Sequence, residues 1–289
     1  MWLIFAVGSA FFAGIMSILA KIGLQNIDSN LATAIRTLVV MILSWILVFS
    51  FHLNNQLGNV DIKSLIFLIL SGVATGGSWI FYFKALQLGD VNKVAPIDKS
   101  SVILTMVLSF ILFKEPFTWI QGLSLVFIFI GTYAMIEIND KHNPSGQFLK
   151  NKSWFIYACL SAFFASLTAI LGKMGTEAID SNLATAIRTV VILIISWAIV
   201  FYQGSHKDIW KIKKSNWLFL VFSGLATGGS WLCYYRALQE GPVSIVVPID
   251  KLSILVTILF SYFVLGEKLE KKALLGLCIL ILGTLLLLI

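Results

Sequence analysis

The sequence predicts an all-α integral membrane protein of ten transmembrane helices, arranged as two inverted five-helix repeats. Three observations predict it. The 289 residues are 58% hydrophobic and only 12% charged, where a soluble domain carries roughly a quarter charged residues. Apolar segments of about 20 residues, the length that crosses a bilayer, recur along the whole chain. The second half also repeats the first at a constant offset of 152 residues.

The apolar segments fall at about 2–23, 30–51, 64–88, 93–113, 118–138, 154–175, 182–203, 216–240, 245–265 and 271–289. The first lacks a basic leader and a cleavage site, so MWLIFAVGSAFFAG reads as a retained helix. Connectors are short and polar. The longest, residues 139–152 (NDKHNPSGQFLKNK), is the natural linker between a first repeat, 1–138, and a second, 153–289.

The repeat is read directly. IDSNLATAIRT begins at Ile27 and again at Ile179, and Ala10-Phe11-Phe12-Ala13 returns at Ala162 to Ala165. SGVATGGSWIFYFKALQLGDVNKVAPIDK, from Ser71, returns from Ser223 as SGLATGGSWLCYYRALQEGPVSIVVPIDK. Asp98 matches Asp250, Glu115 matches Glu267, and Gly131-Thr132 matches Gly283-Thr284. An odd number of spans per half makes the second half enter from the opposite side. Inverted repeats of this kind are a recognised basis for alternating access, with the site at the repeat interface.

The net charge of +7 is therefore read by side of the membrane, not as a nucleic-acid patch. Lys63, Lys114 and Lys173 fall on the side of the termini, and the twelve other lysines outside the spans fall on the opposite side. The positive-inside rule then places both termini outside. Arg36, Lys84 and Lys99, with their counterparts Arg188, Arg236 and Lys251, lie within spans. Long basic side chains near helix ends snorkel to headgroups; the sharper alternative is one charged layer at each mouth, the two opening in turn.

Ionisable residues inside a span are costly, so their default reading is functional. Asp98, Ser101, Thr105 and Ser109 form one helical stripe, and Asp250, Ser253, Thr257 and Ser261 repeat it. Such stripes line a cavity or act as interhelical glue. Lys99 lies about 100° around from Asp98, towards a neighbouring helix. A second stripe carries Thr33, Arg36, Thr37 and Ser44, repeated at Thr185, Arg188, Thr189 and Ser196. Pro96 and Pro248 precede the two acids and leave polar backbone near them. Gly72 and Gly76, like Gly224 and Gly228, form GxxxG packing faces. Trp79, flanked by Tyr82, is too deep for an interfacial belt and meets another helix or a ligand; Trp231 and Tyr234 are their counterparts. Asp98 and Asp250 are the candidates for proton coupling, because a desolvated carboxyl titrates nearer neutrality.

Other chemistries lack residues. Cys159, Cys233 and Cys278 sit in apolar runs with no CxxC, and His52, His142 and His206 are scattered in connectors. Neither a metal site nor a cofactor is expected. No G-x4-G-K-[ST] motif is present, which argues against ATP-driven pumping by this chain alone.

The run CYYRALQEGPVSIVVPIDKLSILVTILFSYFVLGEKLEKKALLGLCILILGTLLLL resembles the EamA domain of the drug/metabolite transporter superfamily. It carries the YY-x-AL-x-x-G turn, the proline of the next helix, the G-E-K loop and the G-x6-G-T last helix. The first half has Lys114-Glu115-Pro116 where the second has Gly266-Glu267-Lys268. The resemblance implies ten helices, a central cavity, secondary transport of small metabolites and a fifth helix at the periphery of each half. It also implies cytoplasmic termini, opposite to the charge count, and half-size relatives that pair as dimers. The expected function is a secondary carrier for an amino acid or related molecule, acting as monomer or homodimer in a bacterial or archaeal plasma membrane, with no nucleic-acid partner. The alternatives are a non-transporting scaffold, or a carrier of anionic metabolites or cationic drugs.

Overall fold

The computed structural model describes residues 1–23, 27–88, 97–98, 100–134, 153–260, 263 and 271–289. The expected linker 139–152, Pro96, Lys99, Ser261 and the Gly266-Glu267-Lys268 loop lie outside them. The helices are α1 (Trp2–Gly23), α2 (Ser29–Ser50), α3 (Ile62–Leu88), α4 (Ser101–Leu112), α5 (Trp119–Ala134), α6 (Ser153–Thr176), α7 (Ser181–Gln203), α8 (Lys214–Glu240), α9 (Val243–Lys251), α10 (Ser253–Phe260) and α11 (Lys271–Leu286). Short 3-10 segments, Leu53–Asn59 and Ser205–Lys211, connect α2 to α3 and α7 to α8. The described residues include no strand. Among the described residues, seven helical stretches are long and apolar enough to cross a membrane, α9 and α10 together forming one of them. Three further apolar helices are shorter.

The repeated IDSN starts two helices in the same way. The Asp28 carboxylate accepts from the N–H groups of Asn30 and Leu31 at 3.1 and 3.0 Å, and Asp180 accepts from Asn182 at 2.8 Å. Each cap is worth about 1 kcal/mol. The far ends match too: Gly204 closes α7 in the left-handed region (φ +76°), and His52, its equivalent after α2, adopts φ +55°.

The chain forms two compact units, and neither coincides with a sequence repeat. One comprises Met1–Val73, Leu171–Gly241 and Ile249–Glu267; the other comprises Ala74–Ile170, Pro242–Pro248 and Lys268–Ile289. Each draws on both halves of the sequence.

In the first unit α1 packs antiparallel on α8. Trp2 lies against Gly241, Gly8 beside Cys233, Phe12 against Gly229, and Gly23 against Phe219 and Leu220. The equivalent helices α2 and α7 also run antiparallel, as inversion requires. Leu31 to Ile35 share a core with Val200, Ser44 meets Thr189 at 3.3 Å, and Val48 packs with Leu183 and Ala186. Two glycines let α3 and α8 approach these helices. A Cβ at Gly72 would lie 2.8 Å from the Cβ of Val191, and one at Gly224 2.7 Å from that of Val39. A Cβ at Gly228 would lie 2.7 Å from Leu43, and Gly76 is buried.

In the second unit the last turns of α3 pack on α6, with Phe81 stacked on Phe164 and Tyr157 at 5.3 and 6.2 Å between ring centroids. Helices α5 and α11 meet through equivalent glycines. A Cβ at Gly131 would lie 2.5 Å from the backbone nitrogen of Leu280, and one at Gly283 2.7 Å from Phe127 Cβ and 3.0 Å from the Ile128 nitrogen. The Glu115 carboxylate caps α9, accepting from the Val243 and Ser244 N–H groups at 2.7 and 3.0 Å. A carboxylate here satisfies two orphan donors and complements the helix dipole.

Overpacking a close helix contact costs about 1–3 kcal/mol. Gly131→Ala and Gly283→Ala should therefore lower the thermal unfolding midpoint in detergent. Gly58→Ala, with nothing within 4 Å of the new methyl group, should leave it unchanged.

Candidate functional site

The ninth apolar segment is a broken helix. Pro248 lies inside α9 and offers no N–H to the preceding turn. The chain then tightens: the Leu252 N–H reaches Ile249 O, and the Leu255 N–H reaches Leu252 O, both at 2.9 Å. These are three-residue bonds of the 3-10 kind. The first half repeats them, with Ser100 N–H on Ile97 O at 3.2 Å and Ile103 N–H on Ser100 O at 3.0 Å. Asp98 and Asp250 each sit one residue into this break.

Both carboxylates are held by hydroxyls. In the first unit Ser9 Oγ donates to Asp250 Oδ1 at 2.6 Å and lies 3.3 Å from Ser230 Oγ. In the second unit Ser161 Oγ lies 2.7 Å from Asp98 Oδ1, 3.4 Å from Ser78 Oγ and 3.1 Å from the Ser78 carbonyl. Ser9 and Ser161 are equivalent at the 152-residue offset, as are Ser78 and Ser230. The structure thus contains one network twice, and in each copy the serine of one repeat holds the aspartate of the other. A hydrogen bond to a charged group contributes about 1.5–3 kcal/mol. Sequence reasoning missed all four serines. The signal was present in the repeated Ser-Ala-Phe-Phe-Ala and Gly-Gly-Ser-Trp, each with a serine inside an apolar helix.

Arg36 and Arg188, the two arginines of the second stripe, are both in the first unit. Arg188 is 2% exposed; its Nε–H donates to Ser71 Oγ at 3.0 Å. Its guanidinium lies 4.3 Å from the Tyr235 ring centre and 5.5 Å from that of Trp231, within range of cation–π attraction, which strengthens on desolvation. Gly172 makes room for Tyr235, because a Cβ there would lie 2.5 Å from the ring. Arg36 is half-buried and donates from Nη2 to Thr227 Oγ1 at 3.0 Å, while Thr227 donates to Ser223 O at 2.7 Å.

The polar stripes close largely on their own helices. Ser101, Thr105 and Ser109 are buried; Thr105 donates to Ser101 O and Ser109 to Met106 O, each at 2.8 Å. Ser253 and Thr257 are half-buried, with Thr257 bonded to Ser253 O at 3.0 Å and reaching Gly14 O of α1 at 3.4 Å. Trp79 is half-buried, Tyr82 packs on Ala85 and Ala158, and Tyr234 meets Tyr235 edge to face at 5.2 Å. Lys251 is half-buried and Lys84 exposed. Lys173 does not snorkel; its ammonium donates to the carbonyls of Leu238, Gln239 and Gly241 and caps the end of α8. Arg36 likewise turns to Thr227. Arg236 pairs with Glu240 at 2.7 Å and lies 3.9 Å from Asp180. Among the described residues, no three His, Cys, Asp or Glu side chains group as metal ligands.

The EamA-like transporter family model matches residues 1–136 and again 152–289. A Sinorhizobium sp. protein, "Uncharacterized transporter in cobO 3'region", is 48% identical over 137 residues, which make up 47% of this chain and 97% of that protein. "Uncharacterized transporter YxxF" of Bacillus subtilis is 26% identical over 60% of this chain, and human "Solute carrier family 35 member G1" 28% identical over 64%. The matches cover only 54% and 52% of those two proteins. A solved crystal structure superposes over 99% of this chain and 96% of its own, with a TM-score of 0.78 at 12% identity, and shares the fold. Matched over nearly its whole length, the chain belongs to the EamA-like transporter family and is a multi-pass membrane transporter.

Proposed function

We propose that the protein is a secondary carrier which moves an amino acid or a related small molecule by alternating access, coupled to protons through Asp98 and Asp250. In this reading the chain crosses a bacterial plasma membrane ten times, and its repeats form two like mouths on opposite faces. The observation that carries the proposal is the duplicated serine–aspartate network. A carboxylate at a break in a membrane helix, bonded to hydroxyls, is served in both protonation states. A hydroxyl donates to the ionised acid and rotates to accept from the protonated one. A lysine or arginine in the same place would hold the acid charged. Each network also ties a helix of one repeat to the broken helix of the other, so a change of protonation acts on the contact that must loosen when the repeats rock.

The substrate class is read from the two kinds of charge the repeats carry. Arg36 and Arg188 supply planar guanidinium forks suited to a carboxylate. Asp98 and Asp250, with Trp79 and Trp231 next in sequence to the network serines Ser78 and Ser230, supply the counter-charge and faces that suit an ammonium group. A zwitterion uses both.

In reconstituted vesicles, Asp98→Asn and Asp250→Asn should each abolish uptake driven by a proton gradient while leaving solute exchange between equal pools. Undiminished gradient-driven uptake in both variants would remove the acids from coupling. Ser9→Ala and Ser161→Ala should slow coupled uptake about tenfold, the loss of one hydrogen bond to a charged group. A thermal-stability screen of the purified protein should find stabilisation by amino acids; stabilisation confined to phosphorylated metabolites or to organic cations would reassign the substrate.

A further inference from the structure

Arg36 and Arg188 stand in identical sequence, IDSNLATAIRT at 27–37 and at 179–189, yet the first unit holds them in different ways. The Arg188 Nε–H has Ser71 as acceptor at 3.0 Å. The serine equivalent to Ser71 is Ser223, and it gives its hydroxyl to the Met16 carbonyl of α1 at 3.2 Å. Arg36 reaches one turn further along α8 to Thr227. Its Nε is buried and has no hydrogen-bond partner among the described residues. A buried donor of this kind is uncommon and calls for a reason.

Exposure differs in the same sense. Ser181 and Thr185 are 0% exposed; their equivalents, Ser29 and Thr33, are exposed and half-buried. Because α2 and α7 run antiparallel, these are opposite ends of one unit. The end carrying Arg188 is the more buried of the two, and the end carrying Arg36 the more exposed. Local propensity cannot account for the contrast, because the two stretches have the same residues. What differs is what surrounds each stretch.

We infer that Ser71 and Ser223 are positioning residues of the transport cycle: whichever end is closed has its arginine Nε–H on its serine, and the two ends exchange this bond. The inference rests on the alternating-access reading above. In the opposite state Arg36 donates to Ser223, which releases the Met16 carbonyl, and Arg188 leaves Ser71. The bond lost at one end is replaced by the same bond at the other, so the two states stay close in free energy. A carrier needs that balance, because a strong bias towards either state leaves the other too rare to use.

The test places single cysteines at Thr33 or Thr185 in full-length protein whose Cys159, Cys233 and Cys278 are replaced, in vesicles labelled with a small thiol-reactive reagent. With both serines present, the cysteine at 33 should label faster than the one at 185. Ser71→Ala should speed labelling at 185 and slow it at 33, the ratio of the two rates changing about tenfold, the loss of one hydrogen bond to a charged group. Ser223→Ala should move both rates in the reverse direction. Ser71→Thr and Ser223→Thr keep the hydroxyl and should restore the starting pattern. Shifts in the same direction for both alanine variants, or none, in protein that still transports would overturn the switch and leave the carrier standing. Protein that moves no solute, with labelling unchanged under every condition, would overturn both.

Discussion

An acid inside a membrane helix must find its hydrogen bonds within the protein, and that requirement organises this fold. Asp250 takes its bond from Ser9, 241 residues away, and Asp98 from Ser161, 63 residues away. Neither bond forms unless the first helix of one repeat lies beside the broken helix of the other. The interleaving follows: α1 runs down α8 in one unit, and α6 meets the last turns of α3 in the other. The small residues along these contacts, Gly8, Gly14 and Gly229 among them, let the backbones come close enough for short hydroxyl side chains to reach. Glu115 extends the pattern, since a first-repeat carboxylate caps α9 of the second.

The helices were legible because bilayer length and apolar runs constrain them strongly. The repeat was legible because its offset never varies. Asp98 and Asp250 stood out by the cost of an ionisable group in lipid, and Arg36 and Arg188 by the same reasoning. The serines that hold the acids were not, because a single serine in an apolar helix has no period and its partner lies far off in sequence. Helical spacing grouped Ser101, Thr105 and Ser109 on one face, but spacing says nothing of whether a hydroxyl turns outward or back to its own helix. Here Thr105 and Ser109 turn back. Pro248 announced irregular backbone without locating it; the tightened turn falls four residues later, at Leu252.

The contrast between the arginines could not be read from their own stretches, since residues 27–37 and 179–189 are the same. Only their surroundings separate them. Tyr235 and Gly172 on the Arg188 side correspond to Phe83 and Ala20 in the first repeat. The second repeat thus adds a phenol and removes a methyl group where a ring must fit against the guanidinium. The two repeats thus place like networks in surroundings that differ at such positions.

The central claim is that the two serine–aspartate networks take up and release protons as solute crosses. The most direct measurement is the internal pH of sealed vesicles holding the purified protein, followed with a trapped pH-sensitive dye while an amino acid found to stabilise the protein is added outside. The account predicts a pH change that accompanies solute entry and disappears when Asp98 and Asp250 are both replaced by asparagine. Solute entry at full rate with no movement of protons would contradict it.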